Sequence, residues 1–173
     1  MEQTLVMTTA HLDGQFRELL ERHRGIVFKV ANSYARGAQD REDLAQEIAV
    51  QLWRAFPKYD GTRAFSTWMY RVALNVAISH LRERSRYESH HEALDMEIHD
   101  AAADGGDAES DARVRELYRC IARLDPLDRA LLILYLDERS QRDIAEILGI
   151  SETNVATRIG RLKQRLRNDM SEA

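Results

Sequence analysis

The stretch SQRDIAEILGISETNVATRIGRLKQRLR, Ser140–Arg167, decides the fold. Ser140 has a side chain suited to accept from the free amides of a first helical turn. Gly149 supplies a turn, and Ser151 opens a second helix as Ser140 opens the first. Two helices joined by so short a turn have the proportions of a helix-turn-helix. On the second helix Val155, Ile159, Leu162 and Leu166 share one face, leaving Thr153, Thr157, Gly160, Arg161 and Gln164 on the opposite one. That outer face is short-chained near the helix start and basic further along. It fits the major groove of a duplex, where Thr, Arg and Gln meet base edges while Arg158, Lys163, Arg165 and Arg167 neutralise phosphates. An ordinary helical hairpin with a solvated basic face has the same periodicity.

Outward from this motif the chain stays helical. Asp125-Pro126 reads as a cap followed by a first helical position, opening the helix LDRALLILYL, and Val114, Leu117, Tyr118, Ile121 and Leu124 mark an amphipathic helix before it. Further upstream lies ESHHEALDMEIHDAAADGGDAESD, residues 88–111, with nine acids, no Lys or Arg, the pair Gly105-Gly106 and no sustained apolar period. Such a segment repels itself and is expected to stay extended as a flexible acidic linker. Two small helical domains follow, residues 10–87 and 112–170, in an all-α chain. Only two prolines and eight glycines stand against many Ala, Leu, Arg and Glu, which favours helices over sheets.

The overall charge of −4 argues against nucleic acid until it is divided along the chain. Residues 1–87 carry a net +3, the linker −9, and residues 112–173 +2, so two mildly basic blocks flank an acidic connector.

In the first block, Phe16, Leu19, Leu20, Val27, Val30 and Tyr34 follow helical spacing. In DREDLAQEIAVQLWRAF, residues 40–56, Leu44, Ile48, Leu52 and Phe56 do the same, while Asp40, Asp43, Glu47, Gln51 and Arg54 line one narrow polar stripe. Acids in a first turn favour the helix dipole. The small polar share of this helix implies that part of its apolar surface meets a partner. Pro57 ends it, and the loop PKYDGTRAF leads to a third helix over 66–85 with Ser66 in the N-cap position. There Trp68, Arg71, Asn75, Ser79, Arg82 and Arg86 fall on one stripe, and Met69, Val72, Ala73 and Val76 fall away from it. An aromatic at one end and cations at the other suit a single strand, whose bases need stacking surfaces and whose phosphates need charge. A solvated face with Trp68 tucked into the core satisfies the same periodicity.

Other chemistry is scarce. His90, His91, Glu92, Asp95, Glu97, His99 and Asp100 are of metal-ligating type, but with no rigid scaffold or fixed spacing they read as solvated linker, and no metal or cofactor is expected. Phosphate-binding loops, nucleophile elbows and HExxH patterns do not occur, so no autonomous catalysis is expected. The single Cys120, the lack of an apolar run near membrane-spanning length and the lack of a leader point to a cytoplasmic protein.

The pieces and their order resemble the sigma-70 family of bacterial RNA polymerase sigma factors, in its short extracytoplasmic-function (ECF) type. DREDLAQEIAVQLWRAF, a loop and FSTWMYRVALNVAISHLR resemble region 2, and LDPLDRALLILYLDERSQRDIAEILGISETNVATRIGRLKQRLR resembles region 4. The resemblance implies a dissociable initiation subunit that directs core RNA polymerase to promoters and promotes strand opening. It assigns Asp43, Gln46 and Glu47 to the clamp coiled coil of the polymerase largest subunit. Asp60, Gly61, Phe65, Trp68, Arg71 and Asn75 would hold the −10 non-template strand, and Thr153, Asn154, Thr157, Arg158 and Arg161 would read the −35 duplex. An anti-sigma factor is an implied partner, and the acidic linker would thread near the path of nascent RNA. Ala156 and Gly160 depart from the arginine and the bulkier residue of many relatives, so a −35 preference does not carry over. Two rivals stand beside this reading: a helix-turn-helix regulator with sensing or dimerising N-terminal helices, and a helical hydrolase using the cluster at 90–100.

Overall fold

Two interruptions of helical propensity divide the N-terminal half into three helices. In the computed structural model, which describes residues 2–90, 115 and 119–171, α1 runs Glu2–Tyr34, α2 Gly37–Ala55 and α3 Phe65–His90. Gly37 takes φ +91°, allowing the sharp reversal between α1 and α2. Pro57 stops α2, as its sequence position requires, and the chain tightens into a 3-10 turn over Phe56–Lys58. In the C-terminal half, residues 119–122 form a helical turn, followed by α4 (Pro126–Leu136), α5 (Gln141–Leu148) and α6 (Glu152–Ser171). No strand occurs among the described residues. α3 runs past the expected end near residue 85 and takes in residues 88–90 of the expected linker; the linker beyond His90, the metal-ligating residues from His91 on and the positions Val114, Leu117 and Tyr118 lie outside the described residues.

The caps around the helix-turn-helix are those its sequence implies. Ser140 accepts from the Asp143 amide, Gly149 ends α5 at φ +68°, and the Ser151 side chain accepts from the Asn154 amide at 3.1 Å. Asp125 caps α4 by accepting from the amides of Leu127 and Asp128, with Pro126 as first helical residue. Two expectations are corrected. α3 begins at Phe65, with the Ala64 carbonyl accepting from Thr67 and Trp68, so Ser66 is not its cap; its hydroxyl instead accepts from Arg139 at 3.0 Å. Asp40 does more than face a helix dipole. It accepts from the Arg36 amide at 2.6 Å, lies 2.7 Å from His80 Nε2 and pairs with Arg84, tying α2 to α3.

Phe16, Val30 and Tyr34 of α1, Leu44, Ile48 and Leu52 of α2, and Phe65, Met69, Ala73 and Leu74 of α3 fill the first core. Each large side chain removed from water contributes roughly 1.5–3 kcal/mol. Leu131, Leu134, Ile144, Val155, Ile159 and Leu162 fill the second. The two cores form one contiguous apolar cluster. α4 shows why: Ala130 and the run Leu131–Leu134 are all buried, because α5 and α6 cover one side of the helix and α1 and α3 meet it on the other.

At that junction Arg129 is only 6% exposed. Its guanidinium donates to the carbonyls of Ser33, Ala122 and Leu124 and lies 5.1 Å from the centre of the Tyr34 ring. Tyr34 in turn donates to the Pro126 carbonyl at 2.7 Å. Burial pushes the Tyr34 phenol above its ordinary value, so it remains a donor.

Arg129→Ala leaves three carbonyls without that donor and opens a gap between α1 and α4; the expected cost is roughly 2–4 kcal/mol, read as a lowered urea midpoint. Asp40→Asn tests the α2–α3 tie. Burial works to raise the Asp40 carboxyl, but the Arg36 amide, His80 and Arg84 together hold it below its ordinary value of 3.8. Because the folded state holds this group in its ionised form, the stabilisation is fully present above the unfolded value and disappears as pH falls through the folded one. The wild type is therefore expected to exceed Asp40→Asn by about 1 kcal/mol at pH 7, a gap that closes below about pH 4 in parallel urea titrations.

Candidate nucleic-acid interface

The loop from Tyr59 to Ala64 is held by its own polar groups. Asp60 accepts from the Thr62 amide at 3.0 Å and hydroxyl at 2.7 Å, and those bonds hold its exposed carboxyl below the ordinary value. Gly61 sits at φ +73°, a conformation any Cβ strains, and the Tyr59 hydroxyl donates to the Arg63 carbonyl at 2.6 Å. Asp60 and Gly61 thus shape the loop. Phe65 is buried between Tyr59, Phe56 and His23, with ring centres 5.5, 6.2 and 5.5 Å away, so it anchors the loop and is not presented on the surface. His23 is held below its ordinary value by its burial and by the cations Arg22 and Arg139.

Trp68 combines both roles that its sequence position leaves open. Its ring packs 5.2 Å from Tyr59 and 5.3 Å from Phe65, yet the residue is only partly buried and lines a cleft of about 260 Å³ together with Arg63, Thr67, Arg71, Val72 and Asn75. Arg71, Asn75, Ser79, Arg82 and Arg86 continue along the exposed side of α3. The far wall of the cleft is Glu146 and Ile147 of α5. Periodicity within α3 does not show Arg63, Glu146 and Ile147 as cleft residues; the loop turn and the packing of α5 bring them there.

On α6, Val155, Ile159 and Leu162 are buried, while Thr153, Asn154, Thr157 and Arg161 are exposed. Arg158 is partly withdrawn: it donates to Asn154 at 3.2 Å and to Asp128 of α4 at 2.7 Å. Burial and the neighbouring Asp125 push the Asp128 carboxyl up against the opposing pull of Arg158. Thr157 bonds back to the Thr153 carbonyl at 2.9 Å. A Cβ at Gly160 would meet nothing within 4 Å, so the smallness of this residue opens the outer face without being needed for packing.

On α2, Asp43, Gln46 and Glu47 are all exposed; Gln39 donates to Asp43 at 3.0 Å and Gln51 to Glu47 at 2.7 Å. Val50 and Trp53 stand out of the same helix, Trp53 at 53% exposure, beside the polar stripe. The site residues therefore form three separate surfaces: the α2 face, the α3 stripe with its loop, and the α6 face. Among the described residues no group of three or more His, Cys, Asp or Glu is placed to hold a metal, and no helix is long and apolar enough to cross a membrane.

Comparison with known proteins falls on the same division. Residues 19–87 match Sigma-70 region 2, and residues 114–166 match Sigma-70 region 4. The chain is 27% identical over 167 residues to the ECF RNA polymerase sigma factor SigW of Bacillus subtilis, covering 91% of this chain and 89% of that protein. It is 30% identical over 141 residues to the RNA polymerase sigma-H factor of Pseudomonas aeruginosa, covering 76% and 73%. The structure of CnrH in complex with the cytosolic domain of CnrY superposes with a TM-score of 0.64 at 25% identity, covering 91% of this chain and 88% of that one. A regulator that binds an operator alone does not account for the region 2 match. Sigma factors are transcription initiation subunits and are not generally enzymes, and the cluster invoked for a hydrolase lies, from His91 on, outside the described residues. The chain belongs to the sigma-70 family, among the extracytoplasmic-function RNA polymerase sigma factors.

Proposed function

We propose that the three surfaces divide the work of initiation: α2 docks on core polymerase, α6 reads the −35 element as duplex, and α3 captures the opened −10 strand. The observation that carries the last assignment is the ribbon that begins in a cleft at the partly buried Trp68 and continues through the exposed Arg71, Asn75, Ser79, Arg82 and Arg86. Trp68 offers stacking surface, Asn75 offers both a donor and an acceptor to a base edge, and the arginines follow the phosphates. Asp60, Gly61 and Phe65 serve this surface by setting the loop. On α2 the exposed Asp43, Gln46 and Glu47, with Val50 and Trp53 beside them, suit a charged and apolar partner face, here the clamp coiled coil. On α6, Thr153, Asn154, Thr157 and Arg161 face the groove, and Arg158 joins them by exchanging Asp128 for a phosphate.

In this reading residues 10–87 and 112–170 are the two working domains, and the acidic stretch 88–111, whose first three residues continue α3, links them. CnrH is seen in complex with the cytosolic domain of CnrY; an anti-sigma factor covering one or more of these surfaces is the corresponding proposal here. The place of action is the cytoplasm, with the polymerase and the DNA.

Glu47→Lys reverses charge at an exposed position that accepts a bond from Gln51 one turn along the same helix. It is expected to weaken core-polymerase binding several-fold in a pull-down titration with unchanged circular dichroism, and wild-type affinity would remove the clamp assignment. Asn75→Ala is expected to impair open-complex formation on duplex promoters by about 1–3 kcal/mol and to be partly rescued by pre-melting the −10 region. Arg161→Ala should lose recruitment by a similar amount without such rescue. Normal initiation by folded Asn75→Ala on duplex promoters would refute the strand-capture role.

A further inference from the structure

We propose that Asp128 is a specificity-determining residue of the duplex-reading surface: it holds Arg158 and, through it, Asn154 until a phosphate lies in the one place from which it can replace the carboxylate. The inference rests on the reading of α6 given above and deepens it, by supplying a reason why duplex of the wrong sequence is bound weakly.

Asp128 stands in the first turn of α4 and is no part of the groove-facing helix. Arg158 crosses to it from α6, donating from Nη1 to the carboxylate at 2.7 Å, with only 33% of the arginine side chain and 20% of the aspartate exposed. The same guanidinium donates from Nε to Asn154 Oδ1, one turn earlier on α6, at 3.2 Å. A guanidinium has donors only, so the Asn154 amide turns its oxygen to the protein and gives up the acceptor half of the pair that reads adenine. Arg158 and Asn154 are thus engaged internally, while Thr153 and Arg161 stand exposed beside them.

Leaving this arrangement is costly on the acid's side. Burial and the neighbouring Asp125 already push the Asp128 carboxyl up, against the opposing pull of Arg158. When the guanidinium departs, a partly buried carboxylate with a second acid beside it loses its counter-ion. Only a phosphate held where the guanidinium fork can meet it offsets that loss. On duplex of random sequence no base contact fixes the register of α6, and Arg158 stays on Asp128. On the matching duplex the base contacts hold a phosphate in place, and one exchange completes the Arg158 contact and frees the Asn154 oxygen. Asp128 therefore opposes wrong duplex more than right duplex, which is discrimination by penalty.

The test separates this role from general charge. Two fluorescein-labelled probes are titrated by anisotropy with the full chain: a short randomised duplex pool, and the duplex that the wild type enriches most from that pool. Asp128→Asn is expected to bind the random pool about 3–10-fold more tightly, with a salt slope steeper by about 0.9 because one more phosphate is neutralised. Its affinity for the selected duplex should rise less, so the ratio between the two falls. Asp128→Ser serves in its place if the amide variant does not fold. Asp128→Asn combined with Arg158→Met has the net charge of the wild type; it should match the wild type on the random pool and bind the selected duplex about 3–10-fold more weakly. An equal rise on both probes in the single variant, or a rise on the random pool that persists in the double variant, means that Asp128 acts only as a negative charge near DNA and overturns the proposal. If Arg161→Ala still weakens binding of the selected duplex, the −35 reading survives that outcome and only the role of Asp128 fails. A wild type that enriches no duplex sinks both.

Discussion

The arrangement depends on a buried cation that donates to carbonyl oxygens. Arg129 is accommodated by three of them: Ser33 in the last turn of α1, and Ala122 and Leu124 at the end of the turn over residues 119–122. The last carbonyls of a helix lack intrahelical partners and carry the negative end of its dipole. One guanidinium thus satisfies two helix ends at once, and the face of Tyr34 covers it. Removing this residue from water is costly, and that cost is offset only where both helix ends are present in register. The contact therefore specifies how α4 meets α1 as well as contributing to stability.

From that junction the rest of the C-terminal unit is placed. α4 carries apolar side chains around most of its circumference because it lies between two layers of helices, and α5 then comes to rest against α3. The short connection after α4 matters for this. Glu138 adopts φ +55°, an uncommon conformation for a residue with a side chain, and the turn sets Asp137 and Arg139 side by side facing α1 and α3. Contacts made for packing and contacts made to the cleft are consequently parts of one interface.

The two nucleic-acid surfaces differ in how far they are prepared. On α6 the buried residues hold a rigid helix whose outer side is presented to solvent, with Arg158 drawn aside by Asp128. On α3 the aromatic cluster fixes one edge of Trp68 while its other edge borders a cleft shared with a second unit. A groove-reading helix needs only presentation, whereas capture of unpaired bases needs both a stacking surface and room beside it.

Local patterns were legible in the chain alone wherever a helix writes its own punctuation. Ser140, Gly149, Ser151 and Asp125-Pro126 act through bonds spanning three or four residues, so their roles hold in almost any context, and the buried face of α6 followed from spacing. The exposed stripe on α3 was legible for the same reason, as was the family. Ser66 was misread and Asp40, which does sit in the first turn of α2, was read incompletely, because each has a partner elsewhere in the chain, Arg139 for the first and His80 with Arg84 for the second. Arg63, Arg129 and Glu146 carried no signal at all: an arginine bound to distant carbonyls and a glutamate closing a cleft look like any surface charge on a helical wheel. The sequence by itself determined which segments are helical and which side of each is apolar, because those are short-range properties, whereas α3 runs on to His90 past the end expected near residue 85. Only the tertiary structure decided which polar side chains leave the solvent and meet, since that depends on how whole helices cross.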